Sequence, residues 1–179
     1  MIKYAISDPK FFNPLDDSSY SCYQESDYLL FRNKKSTNYD KEATIFIHKA
    51  KSYSFLPLLH QDYKLAHKLK AFGVHLTSLQ FDAIQKAKEL KLFTVISTHS
   101  FNEVIKAQEL GADAVTFSPI FPTPNKGEPK GIDELRRVVQ KTTIKVIALG
   151  GIISSKDIEL LKEAKPWGFA SIRYFIKNC

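Results

Sequence analysis

From about residue 55 onward the chain alternates short apolar runs rich in Val, Ile and Phe with charged segments whose apolar residues recur at helical spacing. A strand buried on both faces reads as a continuous apolar run, whereas a helix packed along one side keeps only a stripe, so this alternation is the pattern of βα units around a parallel sheet. It predicts strands at 55–59, 73–76, 93–97, 114–117, 145–149 and 168–172, and helices near 62–70, 81–90, 100–110, 131–141 and 154–164. Ser100 followed by Glu103 has capping-box spacing at the start of one such helix, and Val104, Ala107 and Leu110 then fall on a single stripe. Adding 2–7 and 28–31 brings the strands to eight, the number that closes a (β/α)₈ TIM barrel, an α/β fold.

The chain is short for that fold, and the places where it saves length are visible. A polar stretch over 8–27, containing Pro and Ser, stands where the first helix belongs, and only 174–179 follows the last strand. The expected barrel is therefore compact, with a reduced first helix and a truncated C-terminal helix. A missing final helix exposes the surface it would have covered, so a second copy forming a homodimer is expected as cover. At 179 residues, one domain over 1–179 is expected.

Composition changes this picture little. Hydrophobic residues make up 44% and charged residues 25%, as in an ordinary globular protein. Lys and Arg number 26 against 19 Asp and Glu, leaving +7, a balance that suits nucleic acid, an acidic surface or an anionic metabolite alike. The lysines are spread over the helical segments with no basic-aromatic stripe, so no nucleic-acid partner is expected. The segment 2–7 alternates like a strand and lacks a secretory apolar core, and no apolar run is long enough to span a bilayer, so a cytoplasmic protein without a membrane partner is expected. Cys22 and Cys179 have no metal-type spacing, and neither a disulfide framework nor a zinc site is expected.

In a parallel barrel the active site lies at the carboxyl ends of the strands, so the residues just past each apolar run are the candidates. They are Asp8, Arg32, Lys34, His60, Gln61, Asp62, His75, Ser97, His99, Thr123, Asn125, Lys126, Gly150, Gly151 and Arg173. Cations and hydroxyls dominate this set, which suits a doubly anionic ligand. Arg32 and Lys34 are two apart and point to one face of an extended segment. Gly150 and Gly151 allow close backbone approach ahead of the helix expected to begin near Ser154, where free amides favour phosphate. Pro119, Pro122 and Pro124 restrict the loop that presents Lys126. His48 and His67 fall in helical stretches as surface residues. His60, His75 and His99 sit at strand ends, where proton transfer and structural hydrogen bonding are both open.

Taken in order, these residues resemble the thiamine phosphate synthase family and its TenI-type relatives, the thiazole tautomerases. The resemblance runs from Tyr28 through Ile172 and is most specific over 111–126 and 147–152. It implies a (β/α)₈ barrel that handles thiazole phosphate in thiamine biosynthesis. The synthases join thiazole phosphate to hydroxymethylpyrimidine pyrophosphate with Mg²⁺ and release pyrophosphate, and this transfer is the activity expected here. The resemblance places Arg32 and Lys34 on the family's second-strand motif, with Leu30 in place of its usual glutamine. It places Ser97, Thr123 and Lys126 on pyrophosphate or thiazole phosphate, with Gly150 and Gly151 as the phosphate-binding glycines. Asn125 stands for a threonine, and Ile172 with Arg173 completes the substrate-binding set. The expected catalytic set is Arg32, Lys34, Lys126, His60, His75 and His99.

The departures concern the metal. His60-Gln61 stands where the synthases carry an Asn-Asp pair, and Gln80 where they carry a second aspartate, so a Mg²⁺ site is expected to be weak. The alternatives are a metal-independent tautomerase, whose catalytic histidine would fall at Pro119, and a catalytically silent binder of a phosphorylated metabolite.

Overall fold

The computed structural model describes residues 1–177. Eight strand–helix units follow one another: β1 (Ile2–Ile6), α1 (Ser18–Ser21), β2 (Tyr28–Phe31), α2 (Tyr39–Ala50), β3 (Leu56–His60), α3 (Tyr63–Lys68), β4 (Gly73–Leu76), α4 (Ala83–Glu89), β5 (Phe93–Thr98), α5 (Phe101–Glu109), β6 (Ala114–Phe117), α6 (Gly131–Lys141), β7 (Lys145–Leu149), α7 (Ser155–Lys162), β8 (Gly168–Ser171) and α8 (Arg173–Lys177). Each strand pairs in parallel with the next, and β8 closes on β1 with Ile2 opposite Gly168 and Tyr4 opposite Ala170. The expected (β/α)₈ barrel is therefore present.

The two-residue period of the strands divides the apolar side chains between two cores. Tyr4, Ile6, Leu30, Leu58, Val95, Ala114, Ile147 and Ala170 fill the barrel interior. Their alternate neighbours, such as Ala5, Leu29, Phe31, Val74 and Val115, pack outward against the helices. At the amino end Tyr28 stacks on Phe93 at 5.7 Å and lies 5.8 Å from Trp167, and the Lys145 ammonium sits 4.9 Å from the Trp167 ring. This aromatic floor lets Lys145 enter the barrel's end by cation–π contact. The carboxyl end holds the polar groups.

The segment 8–27 is more ordered than its composition suggested. One helical turn, α1, carries buried Tyr20, and Phe12 contacts Tyr20, Phe31 and Phe46 at 5.0, 6.1 and 6.1 Å. Aromatic area thus replaces the length of a full helix in covering β2 and α2. Tyr23, also buried there, is the one described residue whose buried hydroxyl has no hydrogen-bond partner. Tyr23→Phe removes an unpaired polar atom from the core and is expected to raise stability by about 1 kcal/mol, read as a higher urea midpoint at unchanged slope.

The helix α2 lies outside the predicted set, although Ala43, Phe46, Ile47 and Ala50 form its buried stripe. At α5 the capping is split: Ser100 Oγ accepts from Glu103 N, while Glu103 reaches past the cap to the His99 amide. The short α8 buries Phe175 against Phe169, their rings 6.1 Å apart. Against the expectation from cysteine spacing, Cys22 is not a free thiol. Cys179 lies outside the described residues. Among the described residues no helix is long and apolar enough to cross a membrane.

Candidate functional site

A cavity of about 460 Å³ opens at the carboxyl ends of the strands. It brings together Arg32, Lys34, His60, Gln61, His75, Ser97, His99, Thr123, Lys126, Gly150 and Ile172 from the predicted set, joined by Thr77. A second cavity of about 240 Å³ adjoins it at the ends of β7 and β8, shares Thr123, Gly150 and Ile172, and adds Asp8, Gly151 and Arg173. Asn125 lines neither. Its φ of 58° makes the turn that returns Lys126 N to Thr123 O at 3.2 Å.

Arg32 continues the inward face of β2 past Leu30, and its amide donates to buried Ser7 Oγ at 2.9 Å. Beside it, Tyr39 joins two strand ends: its hydroxyl donates to Phe31 O at 2.9 Å and accepts from His60 N at 3.0 Å. A tyrosine opening a helix carries no motif, so this brace was not visible in the sequence. Burial and the nearby Arg32 and Lys34 charges depress the His60 imidazole to about 4. Arg32 foremost, then burial and Lys126, lowers the Lys34 ammonium below its usual range. No Asp or Glu lines the larger cavity to offset these cations.

His75 lies deeper than a strand-end residue and is buried inside the barrel. The Tyr4 hydroxyl is 2.8 Å from its Nδ1, and Ser97 Oγ is 3.0 Å from its Nε2. Burial, reinforced by His60 and Arg32, pushes it down to about 3. Burial also raises the Tyr4 phenol well above its usual range. His75 is therefore neutral throughout the physiological range. An unfolded chain takes up a proton on this histidine below about pH 6.5 that the folded protein refuses until near pH 3. Its contribution to stability is complete above pH 6.5 and is lost on acidification at up to about 1.4 kcal/mol per pH unit. Urea unfolding between pH 7 and 5 is expected to show this fall, with a shallower slope in His75→Asn; an equal slope in both would refute it.

His99 differs from the other two. It is exposed, and its Nδ1 lies 3.1 Å from Ser118 O, an acceptor only, so Nδ1 carries the proton and Nε2 is the accepting nitrogen of the neutral ring.

The glycines are set close under the loop that follows β6. Gly150 has a φ of 102°, and a Cβ there would lie 2.8 Å from Pro119 Cα and 3.2 Å from Thr123 Oγ1. Gly151, at φ 73°, would place one 2.6 Å from Phe121 Cβ. Backbone bonds from Ile120 N to Leu149 O and from Phe121 N to Gly150 O, at 2.9 and 3.0 Å, hold the loop down. Thr123 donates its hydroxyl proton to Phe121 O at 2.9 Å, a brace within that loop.

At the start of α7 a capping box engages part of the amide set: Asp157 Oδ2 accepts from Ile153 N and Ser154 N at 3.0 and 2.9 Å, and Ser154 Oγ accepts from Asp157 N. Burial works against the Asp157 charge, but these bonds outweigh it and hold the carboxyl below its usual range. An anion at this end meets the glycine turn and Arg173 beside a helix start whose cap carboxylate already holds two amides.

The fold and site define a (β/α)₈ barrel whose carboxyl-end cavity is lined by Arg32, Lys34 and Lys126 and by no carboxylate. A family model described as thiamine monophosphate synthase matches residues 4–175. The chain is 33% identical over 130 residues to a putative thiamine-phosphate synthase 2 of Aquifex aeolicus, covering 71% of this chain and 69% of that protein. It is 28% identical to a thiamine-phosphate synthase of Fusobacterium nucleatum, covering 98% of this chain and 90% of that protein. A solved thiamine phosphate pyrophosphorylase from Pyrococcus furiosus superposes with a TM-score of 0.82 at 23% identity, covering 96% of this chain and 85% of that one, a likeness of fold. The chain belongs to the thiamine monophosphate synthase family.

Proposed function

We propose that this protein transfers the hydroxymethylpyrimidine group of its pyrophosphate ester onto thiazole phosphate, forming thiamine phosphate and releasing pyrophosphate. The observation that carries the reading is the convergence of Arg32, Lys34 and Lys126 on a cavity without carboxylates, adjoining a glycine turn with Arg173 beside it. In the reaction the bond between the pyrimidine methylene carbon and the pyrophosphate oxygen breaks, and that carbon bonds to the thiazole nitrogen. Positive charge grows on the pyrimidine while negative charge grows on the departing oxygens. The three cations stabilise those oxygens, which is electrostatic catalysis by groups already in place. The Tyr4–His75–Ser97 chain runs from the buried core to the cavity and holds the Ser97 hydroxyl beside the ligand. Gly150, Gly151, Ile172 and Arg173 hold the thiazole phosphate in the adjoining cavity.

The residues at the family's Mg²⁺ positions do not fit that ion. Mg²⁺ takes hard oxygen ligands, usually one or two carboxylates beside substrate phosphates. Here the Gln80 carbonyl accepts from Thr77 N and Oγ1 at 3.1 and 3.2 Å, and its amide donates to Gln61 O at 3.2 Å. No step is assigned to a metal. The tautomerase alternative is not favoured: Pro119 stands at its histidine position, and of the three strand-end histidines two, His60 and His75, are poor proton acceptors at neutral pH, leaving only His99 with an accepting nitrogen in the cavity. A second copy covering the flank beside the short α8, where Met1, Ile158 and Phe169 line a depression, belongs to the same proposal; light scattering at dimer mass is its check.

The test is incubation of the protein with both substrates and with each alone, followed by chromatography. Thiamine phosphate only when both are present is expected. Aromatised thiazole phosphate formed without the pyrimidine, or ligand binding with no product, would replace this reading.

A further inference from the structure

The transfer proposed above requires a polyanionic leaving group to be neutralised, and the larger cavity does this with protein charges alone. Arg32, Lys34 and Lys126 line it and no Asp or Glu does. Carboxylates near the strand ends are engaged in the fold: Asp62 Oδ1 accepts from Leu65 N at 2.8 Å as the cap of α3, Glu42 accepts from Asn33 Nδ2 at 3.0 Å on α2, and Asp8 Oδ1, which lines only the adjoining cavity, accepts from Lys10 N at 2.9 Å. Among the described residues no group of three or more His, Cys, Asp or Glu side chains is placed to hold a metal ion. At the rim, Gln80 uses both lone-pair directions of its carbonyl on Thr77 and ties its amide to Gln61 O. Gln61 itself sits at a φ of 68°, and its carbonyl is drawn into this clasp.

We infer that the pyrophosphate ester is bound and turned over without a divalent cation, with Arg32, Lys34 and Lys126 supplying the charge neutralisation and the Gln61–Thr77–Gln80 clasp closing the rim. The mutual influence of the cations agrees with this arrangement, since Arg32 and Lys126 both hold the Lys34 ammonium below its usual range. A group of cations with no carboxylate among them attracts an anion and repels a second cation. Lys126 gives a point charge on a mobile stem, whereas Arg32 gives a planar fork suited to two oxygens.

The inference rests on the transfer reading, and two measurements on the full-length, chelator-treated protein separate them. The first is calorimetric binding of inorganic pyrophosphate in EDTA and in Mg²⁺. Binding in EDTA that weakens steeply with added NaCl, and that becomes about tenfold weaker in Lys126→Gln, is the expected result. Binding that appears only with Mg²⁺ overturns the inference. The second is product formation from both substrates in the same two buffers. Thiamine phosphate formed in EDTA supports both claims, and product confined to Mg²⁺ overturns the metal-free inference while leaving the transfer reading intact. Pyrophosphate binding in EDTA with no product in either buffer overturns the transfer reading and the turnover half of the inference. The variant Gln61→Asp/Gln80→Asp adds a readout independent of turnover: it is expected to weaken pyrophosphate binding in EDTA and to make binding respond to Mg²⁺. An unchanged EDTA affinity would contradict the assignment of the rim.

Discussion

Arg32→Ala is expected to lower kcat/KM for the transfer reaction by about two to three orders of magnitude, the usual effect of removing one preorganised group from a developing anion. Arg32 is half-buried and lines the cavity, and its backbone is fixed to Ser7, which anchors the start of its side chain at the site. It is also the largest single influence on Lys34, which places it at the centre of the cation group. Arg32→Lys keeps the charge and loses the fork, and an intermediate loss is expected. Catalysis is not the only readout. The Arg32 charge helps to hold the His60 imidazole at about 4, so Arg32→Ala is expected to raise the His60 titration midpoint, measured by NMR. A kcat/KM within threefold of the parent, or a His60 midpoint that does not move, would remove Arg32 from the site.

The second large effect is expected at the glycine turn. Gly150→Ala places a Cβ 2.8 Å from Pro119 Cα at a φ of 102°, so both the backbone and the loop above it must give way. Left-handed strain contributes about 1–2 kcal/mol for a non-glycine residue, and the contact with a backbone carbon adds to it. Because the same loop carries Thr123 and Lys126, its displacement moves groups in both cavities. Binding of thiazole phosphate is expected to fall at least tenfold, with a loss of stability of about 2–4 kcal/mol. Gly111→Ala is the control: its φ is 84°, yet a Cβ there meets nothing within 4 Å. It carries the backbone strain alone, and thiazole phosphate binding is expected to survive it. Equal losses at the two positions would mean that the turn is conformational only.

Much of this architecture was legible because a strand buried on both faces leaves an unbroken apolar run. The predicted bounds of β2, β4, β6 and β7 coincide with those observed, β1, β5 and β8 differ by a residue at one end, and β3 is shifted by one residue. Residues just past those runs formed the cavity because a parallel barrel brings all its carboxyl ends together. The sequence hid what depends on register or on one specific bond. The Tyr4 and Ser97 contacts of His75 cross from strand to strand, and the Tyr39 brace pairs a side chain with two backbone groups. At α7 the spacing Ser154-x-x-Asp157 was open to inspection as a capping box, in which Asp157 takes the amides of Ile153 and Ser154. In 8–27, Phe12, Tyr20 and Tyr23 lack a helical period because they cover the barrel from a turn-rich path.

The central claim is that one pyrophosphate leaves for each thiazole phosphate consumed, and their parallel measurement in a single reaction tests it most directly. Equal molar release of pyrophosphate and formation of thiamine phosphate, with neither when one substrate is omitted, is the result predicted. Pyrophosphate released without thiazole phosphate, or thiazole phosphate consumed without pyrophosphate release, would contradict it.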